Sequence, residues 1–265
     1  MELIDKTKQK AEGETIILEF LKEFGGHYKE KLYPEFRNPL KQKFIDLLLK
    51  EQNSRCCYCM RNLNANIKIE HLIPQSTKIQ TEFDKYINPN TVLNKTNVCL
   101  EDDFIKATDP QTPPFPHTVA YQNMTASCSG VDFLSQKKAK HCNSFRGSNY
   151  IKPIFLDETL KNKIEYKSDG TLSCIGEEDT LQKLGLNYAV LKMIRRIWLY
   201  TNKDCSDLMK FDDSQKNIFL IRLEKEVPNE EYGMLKNFKN ETYWNLLKKY
   251  DYFASYNKKT TSYER

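Results

Sequence analysis

Apolar residues recur at helical spacing in two segments near the start of the chain. The first face is formed by Ile17, Phe20, Leu21 and Phe24, and the second by Leu40, Phe44, Leu47 and Leu48. Gly25-Gly26 follows the first segment and favours a helix stop, because glycine adopts the left-handed conformation without strain. Asn38-Pro39 precedes the second segment and offers an N-cap followed by a first-turn proline. The pattern predicts one helix over 14–24 and a second that leads from 40 toward the cysteines at 56–59.

The second half of the chain predicts a hairpin and then helices. Alternating apolar residues mark the hairpin strands, Ile164 and Tyr166 before the turn and Leu172 and Cys174 after it. Asp169-Gly170 between them suits a tight reversal. A strong helical face follows, formed by Leu184, Tyr188, Leu191, Ile194, Ile197 and Trp198. Asp213 suits the cap of another helix that runs to Pro228, and a last helix is expected over 240–250.

The middle of the chain has little periodicity. Six prolines interrupt residues 60–150, at Pro74, Pro89, Pro110, Pro113, Pro114 and Pro116. Such a segment needs more than an apolar core to hold it together. We therefore expect an α+β protein with an N-terminal helical region over 1–54, a central region over 55–176 that includes the hairpin, and a C-terminal helical region over 177–265.

The composition is that of an ordinary globular protein with a mild basic excess. Of 265 residues, 39% are hydrophobic, and 41 Lys+Arg against 36 Asp+Glu give a net charge of +5. This charge permits contact with a polyanion without requiring it. The first ten residues alternate charges, and no apolar run reaches membrane-spanning length, so we expect a cytoplasmic protein without a membrane partner.

The cysteines are better interpreted as metal ligands than as disulfides, because the cytoplasm keeps thiols reduced. The run Cys56-Cys57-Tyr58-Cys59 contains a C-x-x-C pair, Cys56 and Cys59, whose spacing lets both sulfurs reach one tetrahedral zinc. Cys57 should point away from that ion. A redox pair is the alternative, but it is typical of a βαβ context that this segment lacks.

A zinc site of this kind needs a second pair of ligands further along the chain. We choose Cys128 with Cys142 and leave Cys99 as a competing candidate. Cys174 and Cys205 lie in strand-like and helix-end contexts, so we expect them to be ordinary buried thiols.

Glu70-His71 is the candidate for chemistry. The pair follows the short strand-like run Ile67-Lys68-Ile69. A carboxylate gives a hard ligand for a divalent cation, and the adjacent imidazole could accept a proton from water. Together they suit hydrolysis of a phosphodiester, although a Glu-His dipeptide alone is a weak signal.

Four ordered blocks make the pattern more specific. They are Cys-x-Tyr-Cys, Ile-Glu-His-Leu-Ile-Pro-Gln-Ser, Tyr-x-Asn-Met-x-x-Ser-Cys and His-Cys-Asn-x-x-Arg-Gly. In this order they resemble the HNH endonucleases, whose ββα-metal site is often held by a four-cysteine zinc. The closer resemblance is to the HNH component (PtuB-like) of the Septu and retron-associated anti-phage defence systems, and it covers roughly residues 35–200.

The resemblance implies a role for each matched residue. Glu70 would be a ligand of the catalytic Mg²⁺ or other divalent ion, His71 the general base, and Asn143 the second ligand. Asn123 would orient the base or touch the metal. Asn97 and Cys99 compete with Asn123 and Cys128 for the third block. His141 is an alternative metal ligand, although a donor to a neighbouring zinc ligand is the more common role of such a residue.

The resemblance also implies a polyanionic substrate. Arg146 stands where a lysine is usual, and it could bind a phosphate in a bidentate manner. Lys137, Lys138 and Lys140 add positive charge beside the site, although solvated lysines are as common as phosphate-binding ones.

The implied biology is anti-phage defence. The expected activity is cleavage of DNA, in a complex with a PtuA-like ATPase of the SMC/ABC type, which would dock on the C-terminal helices. A retron reverse transcriptase with its msDNA is a further implied partner. Two alternatives stay open: a tRNA-cleaving RNase with the same site, and a catalytically inactive zinc-knuckle adaptor for nucleic acid or protein.

Overall fold

The computed structural model shows a mixed α+β protein with small two-stranded sheets. It describes residues 1–23, 32–64, 67–88, 92–94, 116–134, 137–200, 212–215, 217–218, 221, 241–253 and 256. The described helices are α1 (Lys10–Glu23), α2 (Leu32–Glu35), α3 (Leu40–Glu51), α4 (Gln80–Asp84), α5 (Cys142–Arg146), α6 (Glu158–Lys161), α7 (Glu178–Lys183), α8 (Ala189–Tyr200) and α9 (Glu241–Lys248). The described strands are β1 (Ile67–His71), β2 (Met124–Cys128), β3 (Val131–Leu134), β4 (Lys137–Lys140), β5 (Ile164–Tyr166) and β6 (Leu172–Cys174).

The two N-terminal helices form where the apolar pattern predicts them. Helix α3 begins at Leu40 and buries the four predicted residues, and α1 packs against it. Helix α1 begins at Lys10, four residues before the predicted start. Gly13 lets α1 approach the ring of Tyr121 closely, since an added Cβ would lie 2.3 Å from that ring. Asn38 makes no N-cap hydrogen bond, because the residue at the cap position is Pro39.

Strands β1 and β2 form an antiparallel pair in which Glu70 lies opposite Thr125 and His71 opposite Met124. Every residue of β2 is buried. Gln52, which follows α3, pairs with the backbone of β2: its Nε2 donates to the Ala126 carbonyl at 2.8 Å, and its Oε1 accepts from the Ala126 amide at 2.7 Å. The amide side chain therefore satisfies backbone groups of β2 that β1 does not pair with.

A β3–β4 hairpin follows β2 and returns the chain to α5. Gly130 stands at its base with a φ of +64°, and its carbonyl accepts from the His141 amide at 2.9 Å. A Cβ at Gly130 would lie 1.9 Å from the His141 carbonyl oxygen, so the close approach requires glycine. The hairpin brings the residues on either side of it together.

The C-terminal hairpin is confirmed as β5 and β6, and the last helix as α9. The predicted helix with Leu184 in its first turn is interrupted: α7 ends at Lys183, Gly185 has a φ of +59°, and α8 begins only at Ala189. The left-handed conformation at Gly185 does not continue a right-handed helix, so the prediction was wrong in this turn. The predicted helix from 213 to 228 falls mostly outside the described residues.

Buried residues from all three predicted regions belong to one hydrophobic cluster, including Ile17, Tyr58 and Leu191. Helices α8 and α9 meet through a hydrogen bond of 3.3 Å from the Trp198 indole to the Leu247 carbonyl. None of the helices in the described ranges has the length and apolar character that crossing a bilayer would need.

Candidate metal and catalytic site

The four cysteines chosen from the sequence lie together. The Sγ atoms of Cys56, Cys59, Cys128 and Cys142 are all within 4.8 Å of one another, and all four residues are buried. A tetrahedral zinc with bonds of about 2.3 Å requires sulfurs about 3.8 Å apart. The Cys59 and Cys128 sulfurs are 3.8 Å apart. The cluster therefore fits a tetrahedral zinc ion, and it could hold one.

Local backbone conformation presents the first pair of thiols. The Met60 amide donates to the Cys56 carbonyl at 3.2 Å, and Met60 has a φ of +64°. This turn reverses the chain directly after Cys59. The second pair comes from the end of β2 and the start of α5, which the β3–β4 hairpin brings together.

The surroundings of the cluster suit thiolates. The Cys128 amide donates to Cys56 Sγ at 3.3 Å, and His141 Nδ1 lies 3.1 Å from Cys142 Sγ. Such donors offset the negative charge of zinc-bound sulfurs. Burial alone would raise the pKa of Cys59, but hydrogen bonds with Cys128 and Cys142 lower it to about 7, whereas burial and hydrogen bonds within the cluster raise the pKa of Cys142. His141 is therefore placed beside the Cys142 sulfur, outside the set of four thiols.

The remaining described cysteines lie outside the cluster. Cys57 is not one of the four, and its sulfur accepts from the Thr125 hydroxyl at 3.6 Å. Cys174 is buried, and its thiol lies 3.5 Å from the Leu160 carbonyl. Asn97, Cys99 and Cys205 lie outside the described residues, so the competing assignment of the third block stays a prediction.

Glu70 is a buried carboxylate with a partner on each oxygen. Oε1 accepts from the Tyr58 hydroxyl at 3.0 Å and from the guanidinium of Arg146, and Oε2 accepts from the side-chain amide of Asn143. Burial raises the pKa of Glu70, and the opposing effect of Arg146 and Tyr58 only partly offsets this rise. The two proposed metal ligands, Glu70 and Asn143, are thus in direct contact.

The Arg146 side chain is buried, whereas the sequence suggested a contact with a substrate phosphate. Its side chain is 1% exposed. The guanidinium donates to Glu70 and to the Leu72 carbonyl, to the His71 carbonyl at 2.8 Å, and to the Asn149 carbonyl at 3.1 Å. Because these donors are used inside the protein, Arg146 holds Glu70 and the end of β1 in place. In this arrangement the guanidinium does not face the solvent, and the expected role as a substrate-binding cation stays a prediction.

The second expected substrate contact, Lys140, is exposed at the end of β4. Its position next to the buried His141 places it at the surface near the cysteine cluster. The side chains of Lys137 and Lys138 lie outside what the structure describes, so the basic run stays a prediction.

His71 is held in one tautomer. Its Nε2 lies 2.8 Å from the Thr118 carbonyl, and since a carbonyl only accepts, Nε2 carries the proton. Nδ1 therefore has the lone pair, and the Gln75 amide donates to it at 3.2 Å. Burial lowers the pKa of His71 to about 4, so the ring is neutral at physiological pH. The ring also meets Tyr33 edge-on, with centroids 4.5 Å apart.

Asn123 holds the loop that follows His71. Its Oδ1 accepts from the Ile73 amide at 2.7 Å, and its Nδ2 donates to the Ile73 and His117 carbonyls at 3.0 and 2.7 Å. The side chain is fully buried, and these bonds occupy its amide. The side chain therefore holds the segment after His71 against the segment at His117, and the two roles that the resemblance allows stay predictions.

Sequence reasoning missed several residues that shape the site. Tyr58 was noted only as the spacer between two cysteines, yet it binds Glu70. Tyr33 lies in the N-terminal region, far from any motif. Thr118 acts through its backbone carbonyl, so its side chain carried no signal. Only Gln75, four residues after His71 and within the matched block, was open to prediction from local spacing.

Comparisons of this chain with protein-family models, with curated proteins and with solved structures find no match.

Proposed function

We propose that this protein is an HNH-type endonuclease that hydrolyses phosphodiester bonds, with DNA as its substrate. The observation that supports this best is the contact of the buried Glu70 carboxylate on β1 with the Asn143 amide on α5, at the residue that directly precedes His71. The order β1, β2, α5, stapled by a four-cysteine cluster, is the arrangement that the HNH resemblance implies.

Glu70 and Asn143 suit a divalent cation by the chemistry of their donors. Glu70 Oε1 already accepts hydrogen bonds from Tyr58 and Arg146. Oε2, which lies beside the Asn143 amide, is therefore the carboxylate oxygen that would bind a cation together with Asn143. An asparagine offers either its nitrogen or its oxygen after a turn of the amide. Two such oxygens suit Mg²⁺ or a similar hard ion. The cation, when bound, supplies charge stabilisation to the phosphate and the leaving oxygen.

His71 would accept the proton of the attacking water. Its Nδ1 has the lone pair, because Nε2–H is held by the Thr118 carbonyl, and the attacking water would take the place of the Gln75 amide that donates to Nδ1. The low pKa keeps this nitrogen unprotonated at neutral pH, and it also makes the buried imidazole a weaker base than one whose pKa lies near 7. The carbonyl of Thr118 also faces the ring nitrogen where positive charge would develop after proton transfer.

Arg146 and the cysteine cluster would act as supports. Arg146 fixes the orientation of Glu70, and Cys142 fixes the first turn of α5, on which Asn143 stands. A zinc ion at the cluster would therefore set the distance between the two strands and the helix that carry the site. Structural zinc of this kind contributes folding free energy directly.

The test is cleavage by the purified protein and by its His71→Ala variant. Supercoiled plasmid and total tRNA are incubated in parallel with Mg²⁺, and the zinc content and unfolding midpoint of both proteins are measured. We expect plasmid cleavage that falls by about 10²–10⁴-fold in the variant, as is typical for loss of a general base. Added imidazole should restore part of the rate.

Three results would contradict the proposal in different ways. Plasmid cleavage that is equal in the two proteins would remove His71 from the mechanism. Cleavage of tRNA without cleavage of plasmid would support the RNase alternative. Binding of nucleic acid without cleavage of either substrate would support an adaptor with an inactive site.

Anti-phage defence together with a PtuA-like ATPase of the SMC/ABC type is a further part of the proposal, supported by the resemblance of the four blocks. Copurification of the tagged chain with an ATPase encoded beside it is the measurement. Recovery of the chain without an ATPase from cells that express both would contradict this part and leave the nuclease proposal in place.

A further inference from the structure

The N-terminal region contributes side chains to the surface beside His71. Tyr33 of α2 meets the His71 ring edge-on, with centroids 4.5 Å apart and an interplanar angle of 87°. Lys41 of α3 lies over the Tyr33 ring, with its Nζ 4.6 Å from the ring centroid. The sequence blocks that suggested a nuclease contain neither residue, so the structure alone brings them to the site.

A second lysine approaches from β1. Lys68 is exposed and lies two residues before Glu70, so the two side chains project from the same face of the strand. The charge of Lys68 lowers the pKa of Lys41, in addition to the larger effect of burial. Lys41 therefore lies within electrostatic reach of Lys68, and the Tyr33 ring connects Lys41 to His71.

These two lysines differ from Arg146 in what surrounds them. Arg146 is neutralised by Glu70 in the interior. Within the described part of the chain, no carboxylate forms an ion pair with Lys41 or Lys68. Positive charges that are close together and not neutralised repel each other, and an anion placed between them relieves the repulsion. The charge next to the proposed base is thus available to a ligand, whereas the charge of Arg146 is not.

We propose that Tyr33, Lys41 and Lys68 form a binding site for the phosphate backbone of the nucleic-acid substrate beside the Glu70–His71 pair, with Tyr33 and Lys41 next to His71 and Lys68 on the face of β1 that carries Glu70. We call these residues the lysine–tyrosine site. The inference rests on the proposed function, because it places the substrate of that activity. It also replaces Arg146, which the sequence had suggested as the phosphate contact, with cations that no carboxylate of the described residues neutralises.

Each residue of the site has a distinct task. Lys41 and Lys68 provide ammonium groups that bind phosphate oxygens. Tyr33 holds Lys41 by a cation–π contact on its face, and it also contacts His71. A phosphate held by Lys41 would therefore lie at a set distance from the imidazole, and the tyrosine ring links the binding step to the position of the base.

The test is the salt dependence of DNA binding. A labelled 20-base-pair duplex is titrated with the full-length protein in buffer without added divalent ion, at several salt concentrations between 50 and 200 mM. The variants are Lys41→Ala, Lys68→Ala and the double variant. Lys43→Ala is the matched control, because Lys43 lies on the same helix but lines the groove against α1. Lys41→Arg keeps the charge and serves as the rescue variant.

We expect each lysine lost from the site to reduce the slope of log K against log salt by about 0.9, which corresponds to about eightfold weaker binding at 0.1 M salt. Lys43→Ala should bind as the wild type does, and Lys41→Arg should retain most of the affinity. With Mg²⁺ present, the double variant should show a raised KM for cleavage with kcat changed little. Zinc content and unfolding midpoint should match the wild type in every variant.

The outcomes separate this inference from the proposed function. The double variant could cleave plasmid with the wild-type KM and show the wild-type slope of log K against log salt. This result would overturn the lysine–tyrosine site and leave the nuclease proposal standing. An equal loss in Lys43→Ala would also overturn it, because the effect would then be one of general charge. A fall in kcat without a change in affinity would assign Lys41 to positioning His71 and so refute a binding role. Absence of nucleic-acid binding by the wild type would overturn both proposals.

Discussion

The buried contact between Arg146 and Glu70 allows a sharp test of the site. The perturbation is Arg146→Met, which keeps the length and much of the volume of the side chain but removes its charge and its donors. Glu70 would then be a buried carboxylate, 3% exposed, without a cation. The carbonyls of His71, Leu72 and Asn149 would each lose a donor as well.

The expected loss of stability follows from this burial. Removal of one partner of a buried ion pair costs about 3–5 kcal/mol, because the remaining charge stays away from water. A domain has only about 5–15 kcal/mol of stability in total. Arg146→Met should therefore lose a large share of the free energy of unfolding, by a route that involves no substrate.

The assay is denaturant unfolding of the wild type, Arg146→Met, Glu70→Gln and the double variant. Zinc is held at the same excess in all samples, because ion binding adds to apparent stability. The double variant removes both charges, so it should be less destabilised than the sum of the single variants, with a coupling of about 0.5–3 kcal/mol. Lys140→Met serves as the control, since Lys140 is exposed, and it should change stability by less than about 0.5 kcal/mol.

One result would refute this reasoning. If Arg146→Met unfolds within about 0.5 kcal/mol of the wild type but binds DNA more weakly, Arg146 contacts phosphate as the sequence suggested. The buried arrangement described above would then be incorrect for the working protein.

Two further predictions concern the cysteine cluster. Purified protein should contain one zinc per chain by elemental analysis. Cys59→Ser should lose the zinc and most of the cooperative unfolding transition, whereas Cys57→Ser should keep both. Equal zinc content in the two variants would contradict zinc binding by the cluster. Gly130→Ala should destabilise the protein more than Gly176→Ala in thermal unfolding. Both glycines have a positive φ, which costs a substituted residue about 1–3 kcal/mol, but only at Gly130 would the new Cβ meet a backbone oxygen, that of His141 at 1.9 Å. Equal losses would show that the turn between β2 and β3 has room to adjust.

Local patterns in the sequence were sufficient for the regular elements. The apolar faces of α1 and α3 and the Asp-Gly reversal of the β5–β6 hairpin involve residues within a few positions of one another. Such short-range preferences act before any tertiary contact forms. The prediction of one helix through Leu184 was wrong where a single left-handed glycine, Gly185, outweighed the apolar periodicity.

The four-cysteine cluster and the approach of Glu70 to Asn143 were also within reach of the sequence. A C-x-x-C pair has the spacing to bind one zinc ion, and the order of the four blocks limited the choice of partner residues. The choice of Cys128 and Cys142 over more distant thiols depended on the blocks as a set rather than on any single spacing.

Only the tertiary structure decided the roles of the charged residues. Arg146 and Lys41 are both basic residues in the sequence, yet Arg146 is enclosed with Glu70 while Lys41 lies over Tyr33 beside His71. Whether a cation is buried with a carboxylate or faces the solvent depends on segments far apart along the chain. Burial and long-range pairing determine the free energy of a charge, and neither quantity is contained in local sequence. The regular elements and the four-cysteine cluster were therefore open to prediction, and the burial or exposure of each charged residue was not.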